Sequence, residues 1–554
     1  MSSSAPTRPA AGATAAPAPL GPAEQQGRMT HRQILSALSG MLLAMFVAFL
    51  SSTVVSNALP TIITDLRGSQ SQYTWVVTAT LLASTASTPI WGKLADLFSK
   101  KLLIQIAIVV FVVGSMLAGL SQSLPTLIGW RVLQGLGLGG LQALVQIAMA
   151  AMISPRERGR YSGLLGSVMA VATVGGPLIG GLLVDTSWLG WRWCFFVGVP
   201  FALVALVLLQ RTLHLPVTRR AVSIDYLGAT FLTAGVSALL IWVTLAGDSF
   251  AWASLETGLF VGGGVLALVA FVVTELRAEE PIVPLRLFRD RTTTLAIIAS
   301  VAIGVAMFGS TVFLGQYLQI SRGYSPTAAG LLTIPMVGGL LVSSTVSGIL
   351  ITRTGFWKRY LVAGSLLVAL GFGLLATIDH ATDMVVLGVF LTVLGVGIGM
   401  TMQNLVLAVQ NTVAATDLGA ASSAVAFFRS LGGTIGVSVL GAVLSSRVGT
   451  LIQSGLSDVP GASAAAGSQE IGLADLADAP APVRALIQVS YGDATGRVFL
   501  IAALLSLITI VAVLLIREVA LRTETGDERL RTEAGASSGD TTADVDAQLA
   551  GRRG

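Results

Sequence analysis

The sequence predicts an all-α membrane protein with about fourteen transmembrane helices. Three observations carry this prediction: 53% of the 554 residues are hydrophobic, only 11% are charged, and the mean hydropathy is +0.80. Soluble domains carry about 25% charged residues, so this chain has too little charge to cover a water-soluble core. A soluble enzyme, a nucleic-acid-binding protein and a disordered scaffold are therefore poor fits.

The apolar runs are long enough to cross a bilayer, since a spanning helix needs roughly 20 residues. They must be helices, because lipid offers no hydrogen-bond partner to an open strand edge. A β-barrel would show alternating segments of about ten residues, whereas Leu102–Gly114 is apolar without a break. The predicted spans are 35–59, 74–92, 102–121, 125–152, 161–184, 192–210, 226–246, 255–276, 293–319, 328–351, 360–378, 384–410, 420–445 and 498–517.

Basic residues set the expected orientation. They concentrate in the connections that follow even-numbered spans, with the connection after span twelve as the exception. Positive residues stay on the cytoplasmic side, so both termini are expected in the cytoplasm, as an even number of spans also requires. Lysine occurs only at Lys93, Lys100, Lys101 and Lys358, and this arginine bias favours a bacterial plasma membrane as the location.

The connection between spans two and three carries a recognisable motif. It reads Gly92-Lys-Leu-Ala-Asp96-Leu-Phe-Ser-Lys100-Lys101. A cytoplasmic anchor would explain the lysines but not Asp96, whose carboxylate could pair with a base or cap a neighbouring helix. The segment resembles the signature loop of the major facilitator superfamily, G-x-L-A-D-R-x-G-R-K, although Leu97 and Ser99 replace its arginine and glycine.

Span four places a charge inside the membrane. Arginine at the centre of a spanning helix costs about 2.5–3.5 kcal/mol on insertion scales, so Arg131 should face protein or a water-filled cavity. Gln134, Gln142 and Gln146 lie on the same helical stripe, which fits a cavity wall. A purely structural role, in which Arg131 ties helices together, stays open. The segment resembles the superfamily motif R-x-x-Q-G-x-G, whose arginine is implicated in proton coupling.

Span five contains Gly175-Gly176-Pro177-Leu-Ile-Gly180-Gly181. Glycines allow close helix packing and Pro177 should kink the helix, whatever the function. The segment resembles the superfamily's antiporter signature, G-P-x-x-G-G, which implies export. The following segment, Trp191-Arg192-Trp193-Cys194-Phe195, resembles the W-R-W-x-F motif of the fourteen-span drug:proton antiporter branch, and the predicted span count agrees with that branch.

Span one departs from this branch, which usually begins L-D-x-T-x-V-N-x-A-L-P. Here Ser51 replaces the intramembrane aspartate and Ser56 replaces the asparagine. Serine cannot exchange a proton near neutral pH. Either a carboxylate at a membrane boundary therefore couples the protons, with Asp96 as the first candidate, or transport is not coupled to protons in the way that the family performs it. A cavity without an acid would favour neutral, zwitterionic or anionic amphiphiles over cations. Ser52, Ser56 and Asn57 are predicted to line that cavity.

The second half adds further candidates. Spans nine and twelve carry predicted cavity residues, namely Gln316, Tyr317, Gln403 and Asn404. Gln403 and Gln410 should share one face of span twelve, because seven residues make nearly two turns; amides can equally serve as contacts between helices. Phe427-Phe428-Arg429-Ser430-Leu431-Gly432-Gly433 resembles the branch's F-F-R-x-L-G-G, and Arg429 should point inward.

The resemblance implies two six-helix bundles with a helix pair inserted between them. Polar, Ala- and Pro-rich ends predict disordered tails, and the loop at 447–497 is long enough to form an external, partly helical cap, with a passive loop as the simpler interpretation. The predicted segments are a cytoplasmic tail (1–33), a first bundle (34–211), a linker with two extra helices (212–292), a second bundle (293–517, including the 447–497 loop) and a second tail (518–554).

These expectations lead to one function. The chain is expected to be a secondary active exporter of small amphiphilic molecules such as antibiotics, in exchange for protons, working as a monomer without cofactor, metal or nucleic acid. The sequence holds no P-loop, and Cys194 is its single cysteine, so ATP does not drive it directly and a disulfide framework is excluded. The alternatives are an importer or facilitator of the same superfamily and a non-transporting receptor or scaffold. The predicted coupling or conformational residues are Gly92, Asp96, Lys100, Lys101, Arg131, Gly176, Pro177 and Arg429.

Overall fold

The computed structural model describes residues 30–532, except 68–69, 187–188, 214–224, 247–249, 279, 457–480, 527 and 531. This part of the chain holds sixteen α-helices. They are α1 (His31–Asp65), α2 (Gln70–Leu97), α3 (Lys100–Gly119), α4 (Leu124–Met152), α5 (Pro155–Asp185), α6 (Trp193–Phe196), α7 (Gly198–Thr212), α8 (Tyr226–Leu245), α9 (Leu255–Glu275), α10 (Arg291–Gln316), α11 (Pro326–Leu332), α12 (Ile334–Thr354), α13 (Lys358–Leu375), α14 (Met384–Thr412), α15 (Leu418–Leu456) and α16 (Ala481–Leu515).

The all-α membrane fold is confirmed. Among the described residues, twelve helical segments are long and apolar enough to cross a membrane. Helices α2 and α5 are not among the twelve, although they are 28 and 31 residues long. Their many Gly, Ser and Thr residues lower the hydropathy of the run. The count of fourteen spans therefore stays a prediction.

Several helices continue beyond the apolar runs that predicted them. Helix α15 reaches Leu456 and α16 begins at Ala481, so both ends of the predicted 447–497 loop are helical. Hydropathy reports only the part of a helix that can contact lipid, whereas backbone hydrogen bonding continues into water. Residues 457–480, the middle of that loop, lie outside the described residues.

Part of the predicted tail at 518–554 is among the described residues. Residues 518–526 and 528–530 contact the ends of other helices, and Leu521 and Arg529 are buried. Composition predicted disorder here because the segment is polar, yet a few apolar anchors and many backbone contacts order it. Residues 1–29 and 533–554 lie outside the described part of the chain.

The helices pack in two groups. In the first, α4 packs against α2 and α3, and α1 packs against α5 and α7; in the second, α10 packs against α15 and α16, and α14 packs against α12 and α13. The groups meet where α2 and α4 contact α15 and where α5 contacts α12. We call this contact between the two groups the seam. The residue limits of the two predicted bundles stay predictions.

Connections rich in basic residues gather at one end of the molecule, which we call the basic face. Lys101 Nζ donates to the carbonyl of Gln210 at the end of α7 (2.8 Å), and Lys93 Nζ lies 2.5 Å from Glu280 Oε2 beyond α9. Lys358 Nζ donates to the carbonyl of Ile516 after α16 (2.6 Å). The connections that follow even-numbered spans therefore share one face, as predicted.

The other end, the opposite face, is held by the W-R-W segment. Trp191 Nε1 donates to Asp65 Oδ2 at the end of α1 (2.8 Å). The Arg192 guanidinium lies over the Trp191 ring, 4.3 Å from its centroid, and 3.6 Å from the same carboxylate. This motif therefore ties the start of α6 to the end of α1, which is a structural use of residues that the sequence singled out.

The inserted pair, α8 and α9, packs along the seam. Helix α8 contacts both α2 and α15. A buried apolar cluster joins the pair to the two groups, with Ala86 from α2, Val236 from α8, Phe271 from α9 and Phe427 from α15. The pair therefore covers the seam from the side rather than separating the two groups.

Glycine sets the helix spacing in the second group. A Cβ at Gly304 of α10 would lie 1.9 Å from the carbonyl oxygen of Arg429 on α15, whereas Gly338 of α12 has no atom within 4 Å of that position. Only the first glycine is needed for close approach.

We expect Gly304→Ala to destabilise the protein by about 1–3 kcal/mol, since the added methyl group overpacks the α10–α15 contact. The midpoint of thermal unfolding in detergent should fall by several degrees. Gly338→Ala is the matched control and should leave the midpoint unchanged or raise it. Equal midpoints for both variants would contradict the packing argument.

Candidate functional site

The site begins with Asp96, which crosses the seam. Its Oδ1 accepts a hydrogen bond from the backbone N–H of Gly419 (2.8 Å), and its Oδ2 accepts one from Ala420 (2.9 Å). These N–H groups belong to the first turn of α15, which has no partner for them within its own helix. A carboxylate there also interacts favourably with the positive end of the helix dipole. Asp96 of the first group therefore caps a helix of the second.

Glycine makes this cap possible. A Cβ at Gly92 would lie 2.0 Å from Ser423 Oγ, so only glycine lets α2 come this close to α15. Ser99 then begins α3, because its hydroxyl accepts a hydrogen bond from the Leu102 N–H (3.5 Å). Lys100 is half-buried at the first residue of α3. The predicted loop residues Gly92, Asp96, Lys100 and Lys101 thus all lie on the basic face.

The linker behind the inserted pair is fastened to both groups beside this cap. Lys93 binds Glu280 on the linker, and Arg286 further along the linker binds Asp417, just before α15 (Nη2 to Oδ1, 2.8 Å). Glu275 at the end of α9 is buried and accepts hydrogen bonds from the backbone N–H groups of residues 282 and 283. The linker is therefore folded against the seam.

A second contact across the seam comes from Arg158, which in the sequence is one of the basic residues after predicted span four. Its guanidinium is buried, donates to the carbonyl of Ile153 (2.9 Å) and hydrogen-bonds the side-chain oxygen of Gln410 on α14. Gln410 in turn donates to Ser422 Oγ on α15 (2.7 Å). No signal in the sequence distinguishes Arg158 from its exposed neighbours, because its partner lies 252 residues away.

The third contact is made by the chain after α16. We call residues 516–526 and 528–530 the tail strap. Asn411 at the end of α14 holds it twice, donating from Nδ2 to the carbonyl of Ala520 (3.1 Å) and accepting from the N–H of Arg522 (2.9 Å). The carbonyl of Arg522 then accepts a hydrogen bond from the N–H of Arg156 on α5 (3.3 Å). The tail strap therefore contacts both groups.

Arg529 completes the tail strap. It is 3% exposed, and its guanidinium donates to the carbonyls of Gln410 (3.3 Å) and Val413 at the end of α14. A guanidinium satisfies the last carbonyls of a helix and complements the negative end of its dipole. Gly526 lies against α4, since a Cβ there would be 2.9 Å from the Ala150 carbonyl oxygen.

Arg131 lies deeper, within the first group. Its Nε donates to the carbonyl of Val76 on α2 (3.1 Å) and its Nη1 to Gln134 Oε1 (2.7 Å). Gln134 Nε2 donates to Ser115 Oγ on α3 (2.7 Å). Arg131 is 2% exposed, so this conformation keeps the charge away from lipid by tying α2, α3 and α4 together. Arg429 is likewise buried, on α15.

The predicted cavity amides Gln146 and Gln403 come from different groups and meet. They line one small cavity between α4, α5 and α14, with Arg158 and Gln410, and its volume is about 10 Å³. That is scarcely room for one water molecule. Gln403 and Gln410 line it together, which confirms that they share a face. The seam is therefore closed at the basic face, and no drug-sized molecule fits here in this conformation.

The other predicted cavity residues divide by environment. Gln142 and Gln316 are half-buried, as is Ser52 on α1. Asn404 is buried and donates to the carbonyl of Met400 one turn earlier (2.6 Å). Tyr317 is fully buried and its hydroxyl donates to the Asp379 carbonyl on the opposite face (2.7 Å), so it anchors a connection instead of facing open space.

Some predicted residues fall outside what is described. The side chains of Ser56, Asn57 and Pro177 are among these. Gly176 of the antiporter signature packs against α1, where a Cβ would lie 2.1 Å from Thr53 Oγ1. Ser51, the residue in place of the family aspartate, is 1% exposed, and its hydroxyl has no hydrogen-bond partner among the described residues.

Chemically, the site offers reversible polar contacts rather than catalysis. The described residues contain no cluster of three or more His, Cys, Asp or Glu side chains that could hold a metal ion. The polar contacts described across the basic end of the seam are hydrogen bonds and ion pairs of few atoms each. Such contacts can break and re-form when two helix groups rock against each other.

Comparison with known proteins agrees with this geometry. The family model of the Major Facilitator Superfamily matches residues 41–437. The multidrug transporter protein MdtP of Bacillus subtilis is 33% identical over 429 residues, which cover 77% of this chain and 78% of MdtP. The efflux pump dotC of Dothistroma septosporum is 32% identical over 502 residues, 88% of this chain and 84% of dotC.

Two further comparisons concern a bacterial relative and a solved fold. An uncharacterized MFS-type transporter of Mycobacterium tuberculosis is 38% identical over 488 residues, 87% of this chain and 69% of that protein. The structure of the proton:xylose symporter XylE superposes with a TM-score of 0.58 at 14% identity, over 91% of this chain and 100% of XylE. At that identity the likeness shows the fold alone.

We expect Asp96→Ala to loosen the seam, because the first turn of α15 loses the cap that crosses it. Loss of a cap costs about 1 kcal/mol, equivalent to about fivefold in an equilibrium. The readout is maleimide labelling of a Ser423→Cys reporter, whose site is 1% exposed beside Gly92. The native Cys194 is fully buried and supplies little background. Labelling should become several-fold faster.

Asp290→Ala is the matched control. Asp290 also caps a helix, since its Oδ2 accepts from the N–H of Thr293 (2.8 Å), but this cap lies within the second group. The variant should lower thermal stability without changing the labelling rate at Ser423→Cys. Equal acceleration by both substitutions would mean that the label reports general loosening and not the seam.

A parallel prediction concerns the tail strap. Arg529→Ala leaves the last carbonyls of α14 without their donor, and lost hydrogen bonds to a charged group are worth about 1.5–3 kcal/mol each. Labelling of the same reporter should accelerate at least as much as in Asp96→Ala. Arg517→Ala removes an exposed arginine from the same segment and should have no effect. An unchanged rate in Arg529→Ala would show that the tail strap does not hold the seam.

Proposed function

We propose that the chain, which belongs to the Major Facilitator Superfamily, is a secondary active exporter of small amphiphilic molecules driven by proton exchange. Members of this superfamily bind their substrate near the bilayer midplane between two halves and alternate access by rocking. The observation that carries the proposal is the closed seam at the basic face, held by Asp96, Arg158 and the tail strap. A transporter needs such a gate, whereas a receptor or scaffold does not.

Export, rather than import, is the direction we propose. The relatives named multidrug transporter and efflux pump support it, as does the span-five signature around Gly176 and Pro177. With the basic face in the cytoplasm of a bacterium, the described conformation is the one closed to the cytoplasm. Both termini then lie in the cytoplasm and the monomer is the working unit.

Proton coupling is proposed to pass through Asp96. An ionised carboxylate accepts the two N–H groups of α15 strongly, and a protonated one accepts them weakly. Protonation would therefore weaken the cap and favour opening of the seam, while loss of the proton would favour closure. Ser51 cannot take this role, because a serine hydroxyl does not titrate near neutral pH.

The substrate class follows from the charges that surround the interior. Ser51 removes the fixed negative charge that the family carries on the first span. Arg131 on α4 and Arg429 on α15 are the buried positive charges of these two helices. We therefore propose neutral, zwitterionic and anionic amphiphiles as substrates in preference to lipophilic cations.

Transport into proteoliposomes with an imposed pH gradient tests this proposal. The parent protein should move an anionic amphiphilic dye and discriminate against ethidium, a cation. Ser51→Asp should reverse this preference by about tenfold or more, because it restores a fixed negative charge beside α7. Ser51→Asn, similar in size but neutral, is the control and should keep the parent's preference.

Three outcomes would decide against the proposal. Transport of lipophilic cations only by the parent would overturn the substrate class. Gradient-driven transport that survives Asp96→Asn at the parent's rate would overturn the coupling residue. Net movement down the substrate gradient, unaffected by pH, would identify a facilitator instead of an exporter.

A further inference from the structure

A large groove lies on the opposite face, away from the seam. It has a volume of about 1100 Å³ and opens between α15 and α16, with Trp252 of the α8–α9 connection at its edge. Arg447 and Thr450 of α15 line one side, and Asp493 and Arg497 of α16 line the other. Its size is just above the range of about 300–1,000 Å³ that is typical of small-molecule sites, so it can accept a large ligand.

The charges in the groove are unbalanced. Arg447 and Arg497 are exposed in it, and neither forms an ion pair with another residue of the described part of the chain, where the pairs involve Lys93, Arg192 and Arg286. Asp493 is one turn before Arg497 and does not approach it within ion-pair distance. Two guanidinium groups facing one open carboxylate leave an excess positive charge, which complements a phosphate group.

The groove lies at the depth of lipid headgroups. Leu515 is the last residue of α16 and lies at the basic face, and Arg497 lies about 27 Å from it along the helix axis. This length is close to the roughly 30 Å thickness of the hydrocarbon layer. Tryptophan is enriched at this boundary, and Trp252 is 44% exposed there.

An apolar track continues from the groove toward the bilayer centre. Val443 and Leu500 form its upper end. One turn deeper on each helix lie Val439 and Leu504, which are 49% and 60% exposed, and Ile508 follows at 47%. Residues four apart share a helix face, so this track and the arginines lie on the same side of α15 and α16. None of the residues that line the groove comes from the first group.

We propose that the groove binds a phospholipid with an anionic headgroup from the membrane leaflet of the opposite face. The phosphate lies between Arg447 and Arg497, and the acyl chains follow the exposed track of α15 and α16. Trp252 then brings the inserted pair against the same lipid. The lipid then links the α8–α9 connection to the second group at the opposite face. The linker contacts that fasten the inserted pair lie at the basic face.

Native mass spectrometry of the full-length protein in detergent tests this inference. Phosphatidylglycerol and phosphatidylcholine with the same acyl chains are added at equal concentration, and the retained lipids are counted. We expect the parent to retain phosphatidylglycerol preferentially, and the double variant Arg447→Ala/Arg497→Ala to bind it about tenfold more weakly. Arg484→Ala, also on α16 but outside the groove, is the matched control and should bind like the parent.

Each alternative result decides the matter. Equal retention of the two lipids by the parent, or equal losses in the double variant and in Arg484→Ala, overturns the site. Unchanged lipid retention together with lost transport of an anionic amphiphile would make the groove a substrate route and the lipid assignment wrong. Lipid retention is measured without transport, so this experiment tests the lipid site independently of the proposed export.

Discussion

Hydrocarbon offers no hydrogen-bond partner, so each polar group that a helix carries into the membrane has to be satisfied within the protein. Arg131 meets this requirement with a backbone carbonyl of α2 and with Gln134. At the basic face the same requirement reaches across the two helix groups, because the open N–H groups of α15 find their acceptor in Asp96 of α2. The hydrogen-bonding requirement that Arg131 meets within one helix group is therefore met between the two groups at Asp96.

The inserted pair depends on the same region. Its linker is fastened through Lys93, three residues before Asp96, and through Asp417, one residue before α15 begins. The cap and the linker therefore use the same two chain segments. Any movement that separates Asp96 from α15 would also change the anchors of the pair, so the extra helices are connected to the closed end of the seam.

Much of this arrangement could be predicted from the sequence. Hydropathy located α4 at Leu124–Met152 to within one residue of its predicted span, because both of its ends coincide with the limits of its apolar run. The cost of a charge in lipid predicted that Arg131 and Arg429 would be buried, and both are. Helical periodicity placed Gln403 and Gln410 on one face.

Other features had no signal in the sequence. The general rule that basic residues stay in the cytoplasm applies to Arg158, but the rule does not distinguish an exposed arginine from one that is buried against Gln410. The sequence predicts Tyr317 as a cavity residue because it is one of the polar residues at the end of span nine, yet its hydroxyl reaches a connection on the opposite face. In both cases the partner is distant along the chain, and patterns within a single sequence do not reveal contacts between distant residues.

The tail strap has a consequence for biogenesis. Its anchors on α4, α5 and α14 are made long before residues 516–530 emerge, since synthesis proceeds from the N-terminus. The hydrogen bonds from Arg529 to the end of α14 can form only after residue 529 has left the ribosome, when the sixteen described helices have all been synthesised. A newly inserted molecule therefore lacks the tail-strap contacts at first. A fusion partner attached near Leu515 would prolong the time without them.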